Sequence, residues 1–231
     1  MSRPPLFIHI PKTAGTSIGE SGLVVRTSAK GLKADITKRM ELDPRNPYKL
    51  HMWFGKRMEK HIPYNYLDQD YLNRFDRVFT VVRNPWARLV SFYNHLEVLN
   101  EDPNWIKDMK PTWYYQEKIS WEEYLNRMDK FVMTPNFYWQ HPYDHWAIQS
   151  DWLPSKKKID ILRYENLQND LSNYLNKEIN LPLLNKSKEV DYKSYYTEEQ
   201  KQKIANWFRL DIERWGFDFE SGATRNYWSK L

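Results

Sequence analysis

The stretch that decides the fold reads Leu6-Phe7-Ile8-His9-Ile10-Pro11-Lys12-Thr13-Ala14-Gly15-Thr16-Ser17. Its first five residues form a short apolar run closed by Pro11, which predicts a buried strand. The polar residues after Pro11 predict a tight turn that opens a helix. A strand that enters a helix through such a turn places backbone N–H groups and the positive helix end where they can hold an anion.

The residues of this turn suit an anionic ligand. Gly15 lets the backbone approach a ligand closely, Thr16 and Ser17 offer hydroxyl donors, and Lys12 supplies a positive charge. The candidate binding residues are therefore Lys12, Thr13, Ala14, Gly15, Thr16 and Ser17. The order differs from the phosphate loop of NTPases, because Gly-Lys-Ser/Thr does not follow a first glycine at the required distance.

A second strand is predicted over residues 77–82, which are rich in β-branched and aromatic side chains. An Asn-Pro pair ends it and predicts a helix from Pro85 onward. Arg83 stands at the end of this strand, and we expect it at the same sheet edge as the first turn. Arg88 and Ser91 share a helix face, so a guanidinium and a hydroxyl there could hold a second anion.

Further strands and helices alternate along the chain. The sequence predicts a strand at 48–54, a helix after 63, a helix from the capping box at 120–123, a strand at 159–162, a helix at 165–175 and a last helix from 197 to 216. This alternation predicts an α/β protein with a P-loop-like three-layer fold, in which helices flank a central parallel sheet. We expect one domain over 1–231, with an aromatic-rich helical insertion on the acceptor side at about 100–154.

Composition excludes several classes of protein. The 231 residues include no cysteine, so there is no disulfide, no thiolate nucleophile and no cysteine zinc site. Apolar runs fall far short of the ~18 residues that span a bilayer, and the first residues lack the features of a signal peptide. We therefore expect no membrane span and a cytoplasmic protein. The net charge of +5 is modest, and acidic and basic residues are interspersed.

Two segments, residues 7–17 and 81–93, resemble the sulfotransferases that use 3′-phosphoadenosine-5′-phosphosulfate (PAPS). The similarity is to the carbohydrate branch, including heparan sulfate 2-O-sulfotransferase and its soluble bacterial relatives, and it is weaker over 159–167 and 211–219. The resemblance implies PAPS as co-substrate and an acceptor hydroxyl on a glycan or small molecule. It also implies that the first motif binds the 5′-phosphosulfate, and that Arg83 and Ser91 bind the 3′-phosphate.

In-line sulfuryl transfer requires positive charge at the leaving phosphate and a base for the acceptor hydroxyl. Lys12 is the candidate for the charge. A histidine suits the base, because it titrates near neutral pH. His61 is our candidate, since it precedes the helix before the Arg83 strand, as the candidate base does in similar bacterial proteins; His51 is the alternative. No metal is expected, because the histidines show no metal-ligand spacing.

Other interpretations stay open on the sequence alone. An aromatic-rich set in the middle of the chain could stack on a sugar or simply pack as a helical layer: Trp113, Tyr114, Tyr115, Trp139, His141, Tyr143, His145 and Trp146. A P-loop-type nucleotide-dependent kinase is the alternative enzyme. A nucleic-acid binding module that uses the basic run 156–158 is the alternative outside enzymes, although such a run is usually a solvated loop, and we expect no nucleic-acid partner.

Overall fold

The computed structural model describes residues 3–31, 61–100, 119–132, 146–154, 158–181 and 191–229. In these residues one parallel sheet is formed by β1 (Leu6–Ile8), β2 (Val25–Arg26), β3 (Val78–Val82) and β4 (Asp160–Arg163). The strand order is β2-β1-β3-β4. The carboxyl ends of β1 and β3 are therefore neighbours, as the sequence predicts. The strand predicted at 48–54 lies outside the described residues.

The helices of the described residues are α1 (Gly15–Glu20), α2 (Gln69–Leu72), α3 (Pro85–Asn100), α4 (Trp121–Val132), α5 (Leu167–Leu175), α6 (Glu198–Trp207) and α7 (Arg209–Trp215). Single 3₁₀ turns occur at Ala29–Gly31, Tyr64–Tyr66, Gln149–Trp152, Tyr164–Asn166 and Tyr192–Tyr195. No described helix is both long enough and apolar enough to cross a lipid bilayer.

The sheet is covered on both faces. Successive strand residues point to opposite sides, so Leu6 and Ile8 pack into one apolar cluster with residues of α3, α4, α6 and α7. Phe7 packs into the other cluster, with Ile18 of α1 and Leu171 of α5. Helices on either side of a parallel sheet give three layers, which confirms the predicted α/β architecture.

Local hydrogen bonds start the helices where the sequence predicts. The Asn84 side-chain oxygen accepts from the first N–H groups of α3 at 3.0 and 3.3 Å. Ser120 Oγ accepts from the Glu123 N–H at 3.1 Å ahead of α4. At α6, Thr197 and Gln200 form a complete capping box with bonds of 3.1 and 3.2 Å. Each cap satisfies N–H groups that a helix start leaves without partners.

Three elements differ from the prediction. The last helix is two helices, because the backbone leaves helical geometry at Phe208, whose side chain is fully buried; Gly216 ends the second one with φ of 67°. The helix predicted after residue 63 is a 3₁₀ turn followed by the single turn of α2. Strand β2 has only two residues, too few for a period-2 pattern to reveal.

Candidate functional site

The turn between β1 and α1 holds two residues in the left-handed backbone region. Lys12 has φ of 67° and Ala14 has φ of 64°, a conformation that costs a non-glycine residue about 1–2 kcal/mol. The buried Thr13 braces the turn, because its Oγ1 donates to the Ile10 carbonyl at 2.8 Å. No side chain caps α1. Turns of this kind collect backbone N–H groups in a concave surface that suits an anion.

Gly15 is required by a histidine that packs against it. A Cβ atom at Gly15 would lie 1.6 Å from Nε2 of His9. The buried His9 ring stacks on Phe7 and lies 4.1 Å from the His61 ring, measured between ring centres. His61 Nδ1 lies 3.2 Å from the His9 carbonyl oxygen. The candidate base His61 therefore packs on His9, and the His9 ring lies against Gly15 at the start of α1.

Lys12 and Arg83 meet where the turn after β1 contacts the end of β3, a place called the corner below. The surroundings of the Lys12 ammonium group disfavour its positive charge. Burial, and then the positive charge of Arg83, lower the pKa of Lys12 to about 7. Among the described residues no carboxylate forms an ion pair with Lys12. Thr16 is half-buried and Ser17 buried on the first turn of α1. A bound anion would favour the charged form of Lys12.

Arg83 follows directly after β3 and connects the end of that strand to the turn after β1. Its Nη1 donates to the Lys12 carbonyl at 3.1 Å, and its guanidinium lies 4.0 Å from the centre of the Tyr164 ring. Burial lowers the pKa of Arg83, although the group stays protonated. Its Nε is buried and has no hydrogen-bond partner among the described residues. The structure therefore brings Lys12 and Arg83 together. The Nε–H group of Arg83 remains a hydrogen-bond donor that a ligand could use.

Two residues that contact Arg83 at this corner were not predicted from the sequence. Tyr164 supports the Arg83 guanidinium, and its place directly after β4 is the one signal that could have indicated it. Gln149 is fully buried and bonds both backbone groups of Arg83. Nothing in the sequence distinguishes Gln149, because its importance depends on contact with a residue 66 positions away.

The structure contradicts the anion-binding role that the sequence predicts for Arg88. The guanidinium predicted to hold a second anion with Ser91 is fully buried, donates to the Ala147 carbonyl at 2.5 Å and lies 5.4 Å from the Phe208 ring centre. Burial raises the pKa of Asp211, and the charge of Arg88 is the first influence that opposes it. Arg88 therefore anchors α3 in the core and does not face a ligand.

Ser91 and Arg163 have different outcomes. Ser91 is buried on the second turn of α3, and among the described residues no hydrogen bond joins it to Lys12 or Arg83. Its role in binding stays a prediction. Arg163, at the end of β4, forms two bonds of 2.7 and 2.9 Å with Asp170 and lies 4.0 Å from the centre of the Tyr227 ring. Its guanidinium is engaged by Asp170 and Tyr227 and is not part of the corner formed by Lys12 and Arg83.

The remaining histidines and the aromatic insertion are only partly described. His95 is half-buried on α3. His51 and every member of the aromatic set except Trp146 lie outside the described residues. Trp146 is buried against Tyr124, and its carbonyl accepts from Trp207 Nε1 at 3.0 Å, so this ring belongs to the core. Within the described ranges no three acidic or histidine side chains could hold a metal ion.

Two comparisons with known proteins found a match to this chain. A family model described as "Sulfotransferase family" matches residues 5–218. Among solved structures the chain is similar to mouse sulfotransferase SULT7A1 complexed with PAP, at 15% sequence identity, over 91% of this chain and 84% of that chain, with a TM-score of 0.46. No curated protein sequence matches the chain.

Proposed function

The chain belongs to the sulfotransferase family, and on that premise we propose that it transfers a sulfuryl group from PAPS to a hydroxyl group of a carbohydrate. The contact between Arg83 and Lys12 carries the proposal. Two cations share one partly buried corner at the ends of neighbouring strands. The charge of Glu165 acts on Arg83 there, whereas among the described residues Lys12 forms no ion pair with a carboxylate. Burial of like charges is unfavourable unless an anion compensates it.

Lys12 and Arg83 bind different phosphate groups of PAPS in this proposal. PAPS supplies the sulfuryl group and contains a 5′-phosphate and a 3′-phosphate. Lys12 and the N–H groups of residues 13–17 hold the negative charge that grows on the 5′-phosphate side as the bond breaks. Arg83, with Ser91, binds the 3′-phosphate. The Nε of Arg83, which has no hydrogen-bond partner within the described ranges, fits this role, because a phosphate oxygen would satisfy it.

His61 is the proposed base. Its Nδ1 lies within hydrogen-bonding distance of the His9 carbonyl oxygen, which can only accept. This contact favours the tautomer that carries the proton on Nδ1, so Nε2 has the lone pair that removes a proton from the acceptor hydroxyl. Packing against His9, which in turn contacts Gly15, supports a position beside the donor-binding turn.

Two observations from the sequence support a carbohydrate as the acceptor. The motifs at 7–17 and 81–93 resemble the carbohydrate branch of the family, and the stretches at 113–115 and 139–145 are rich in rings that can stack on a sugar. The test is turnover of PAPS with a panel of oligosaccharides and, for comparison, phenols. Sulfation of phenols in preference to every sugar tested would reject the carbohydrate acceptor and leave the transferase activity intact.

Ligand-induced stabilisation tests the nucleotide. 3′-Phosphoadenosine-5′-phosphate (PAP) at 100 times its Kd is expected to stabilise the protein by about 2.7 kcal/mol, a rise in Tm of roughly 5–10 °C. ATP with Mg²⁺ should have a smaller effect, because it lacks the 3′-phosphate. A larger shift with ATP and Mg²⁺ than with PAP would support the kinase alternative and overturn the proposal.

A further inference from the structure

Gln149 holds the backbone of Arg83 with both ends of its side-chain amide. Its Oε1 accepts from the Arg83 N–H at 2.9 Å, and its Nε2 donates to the Arg83 carbonyl at 2.9 Å. The β3–β4 ladder ends at the preceding pair, Val82 and Arg163. The amide therefore replaces a strand partner at the residue where the sheet stops, and it fixes both backbone groups of Arg83.

Asp211 fixes the amide of Gln149 in turn. The carboxylate is fully buried and accepts from the backbone N–H groups of Gln149 at 2.7 Å and Ser150 at 2.8 Å. Oδ2 also accepts from Gln149 Nε2 at 3.3 Å. Because a carboxylate oxygen accepts, the NH₂ end of the amide points to Asp211 and the carbonyl end points to the Arg83 N–H. The amide thus has one orientation.

The position of the Arg83 guanidinium depends on this backbone position. From there the side chain reaches the Lys12 carbonyl at 3.1 Å and lies on the Tyr164 ring at 4.0 Å. The hydrogen bond to Lys12 has little tolerance, since hydrogen bonds weaken steeply when their geometry departs from the normal range. A shift of the strand end would move the guanidinium away from the site where it meets an anion.

We propose that Gln149, oriented by Asp211, is a positioning residue that holds Arg83 in place for binding the nucleotide. The inference rests on the proposed function, because it assumes that Arg83 binds PAPS and PAP. Gln149 does not touch the ligand in this account. It acts only through the backbone of Arg83, and this distinguishes it from a binding residue.

The test is the variant Gln149→Met, which keeps the volume of the side chain and removes both hydrogen bonds. We expect the Kd for PAP and the KM for PAPS to rise about 10-fold, while kcat at saturating PAPS and the KM for the acceptor change less than about 2-fold. Gln168→Met is the matched control, since Gln168 also accepts from a backbone N–H, that of Leu181, but is exposed on α5. Its Kd should equal that of the wild type.

A double-mutant cycle shows whether Gln149 acts through Arg83. In an Arg83→Ala background, Gln149→Met should raise the Kd for PAP no further. Equal effects in both backgrounds, or a wild-type Kd for a folded Gln149→Met, would overturn the inference. If Gln149→Met does not fold, Gln149→Leu, which also lacks both ends of the amide, takes its place; failure of both to fold would assign Gln149 to the core and reject the proposal.

The failure of the inference can be told apart from the failure of the proposed function. If the wild type does not bind PAP, the proposed function is wrong. If the wild type binds PAP, Arg83→Ala weakens binding and Gln149→Met does not, only the positioning role is wrong.

Discussion

Arg83 donates a hydrogen bond of 3.1 Å to the backbone carbonyl of Lys12, across 71 residues of sequence. The contact ties the end of β3 to the turn after β1 and brings two positive side chains into one corner. Their proximity is visible in the pKa of Lys12, which burial and the charge of Arg83 lower to about 7. A corner built in this way is complementary to a ligand with more than one negative group.

Loss of the Lys12 charge should reduce the rate of transfer. Lys12→Met removes the ammonium that we propose stabilises charge on the leaving phosphate, and we expect kcat to fall ~10²–10³-fold, as for the loss of one oxyanion-stabilising donor. Steady-state kinetics with PAPS measures this. Lys30→Met is the control, because Lys30 is an exposed lysine in a 3₁₀ turn. An unchanged kcat in Lys12→Met would remove Lys12 from the reaction.

The same variant should be more stable than the wild type in acid. The pKa of Lys12 is about 7 in the folded chain and near the usual 10.5 when unfolded. Between these values the unfolded chain binds more protons, so the destabilising effect of Lys12 is complete below pH 7 and fades as pH rises toward 10.5. Urea unfolding should show Lys12→Met more stable at about pH 6 by at least ~1 kcal/mol, and a smaller gap at about pH 9.5. A gap that widens with pH would contradict the lowered pKa.

Arg83 should resist conservative replacement. Arg83→Ala removes a charged hydrogen-bond donor worth about 1.5–3 kcal/mol, which corresponds to roughly a 10- to 100-fold rise in the Kd for PAP. Arg83→Lys should recover little of this, because an ammonium lacks the planar fork that rests on Tyr164. Calorimetry provides the Kd, and exposed Arg209→Ala is the control. Full affinity in Arg83→Lys would show that only charge matters.

His61 should affect chemistry and leave nucleotide binding intact. We expect His61→Ala to lower kcat by ~10²–10⁴-fold, the usual contribution of a positioned base, with the Kd for PAP nearly unchanged. His95→Ala is the comparison, because His95 is half-buried on α3 and is not a candidate for the base. If His61→Ala keeps most of its turnover rate, the base lies elsewhere, and His51 is the next residue to replace.

The contact between Gly15 and His9 predicts a dependence that a double variant can reveal. Gly15→Ala places a methyl group on the His9 ring, and overpacking of this kind costs about 1–3 kcal/mol. In a His9→Ala background the same change should cost much less. Gly22→Ala is the control, because nothing lies within 4 Å of the added carbon and its effect should be the same in both backgrounds. Equal costs for Gly15→Ala in both backgrounds would exclude His9 as the cause.

Features that depend on near neighbours could be predicted from the sequence. The strands at 6–8 and 78–82, the turn at Lys12 and the helix from Pro85 follow from apolar runs, proline and glycine within a few residues of each other. The caps at Ser120 and Thr197 are predictable for the same reason. The placement of Arg83 beside the turn also follows, since parallel strands end at one edge.

The tertiary structure alone decided which polar groups lie at the corner between the turn and the end of β3, and which lie in the core. The helical period places Arg88 off the apolar stripe, yet it is buried, because the Ala147 carbonyl and the charge of Asp211 compensate its desolvation. Gln149 gains its role only where the chain returns to Arg83. The sequence by itself determined the elements and the candidate cations; the partners of each buried charge depend on distant residues, which no local pattern encodes.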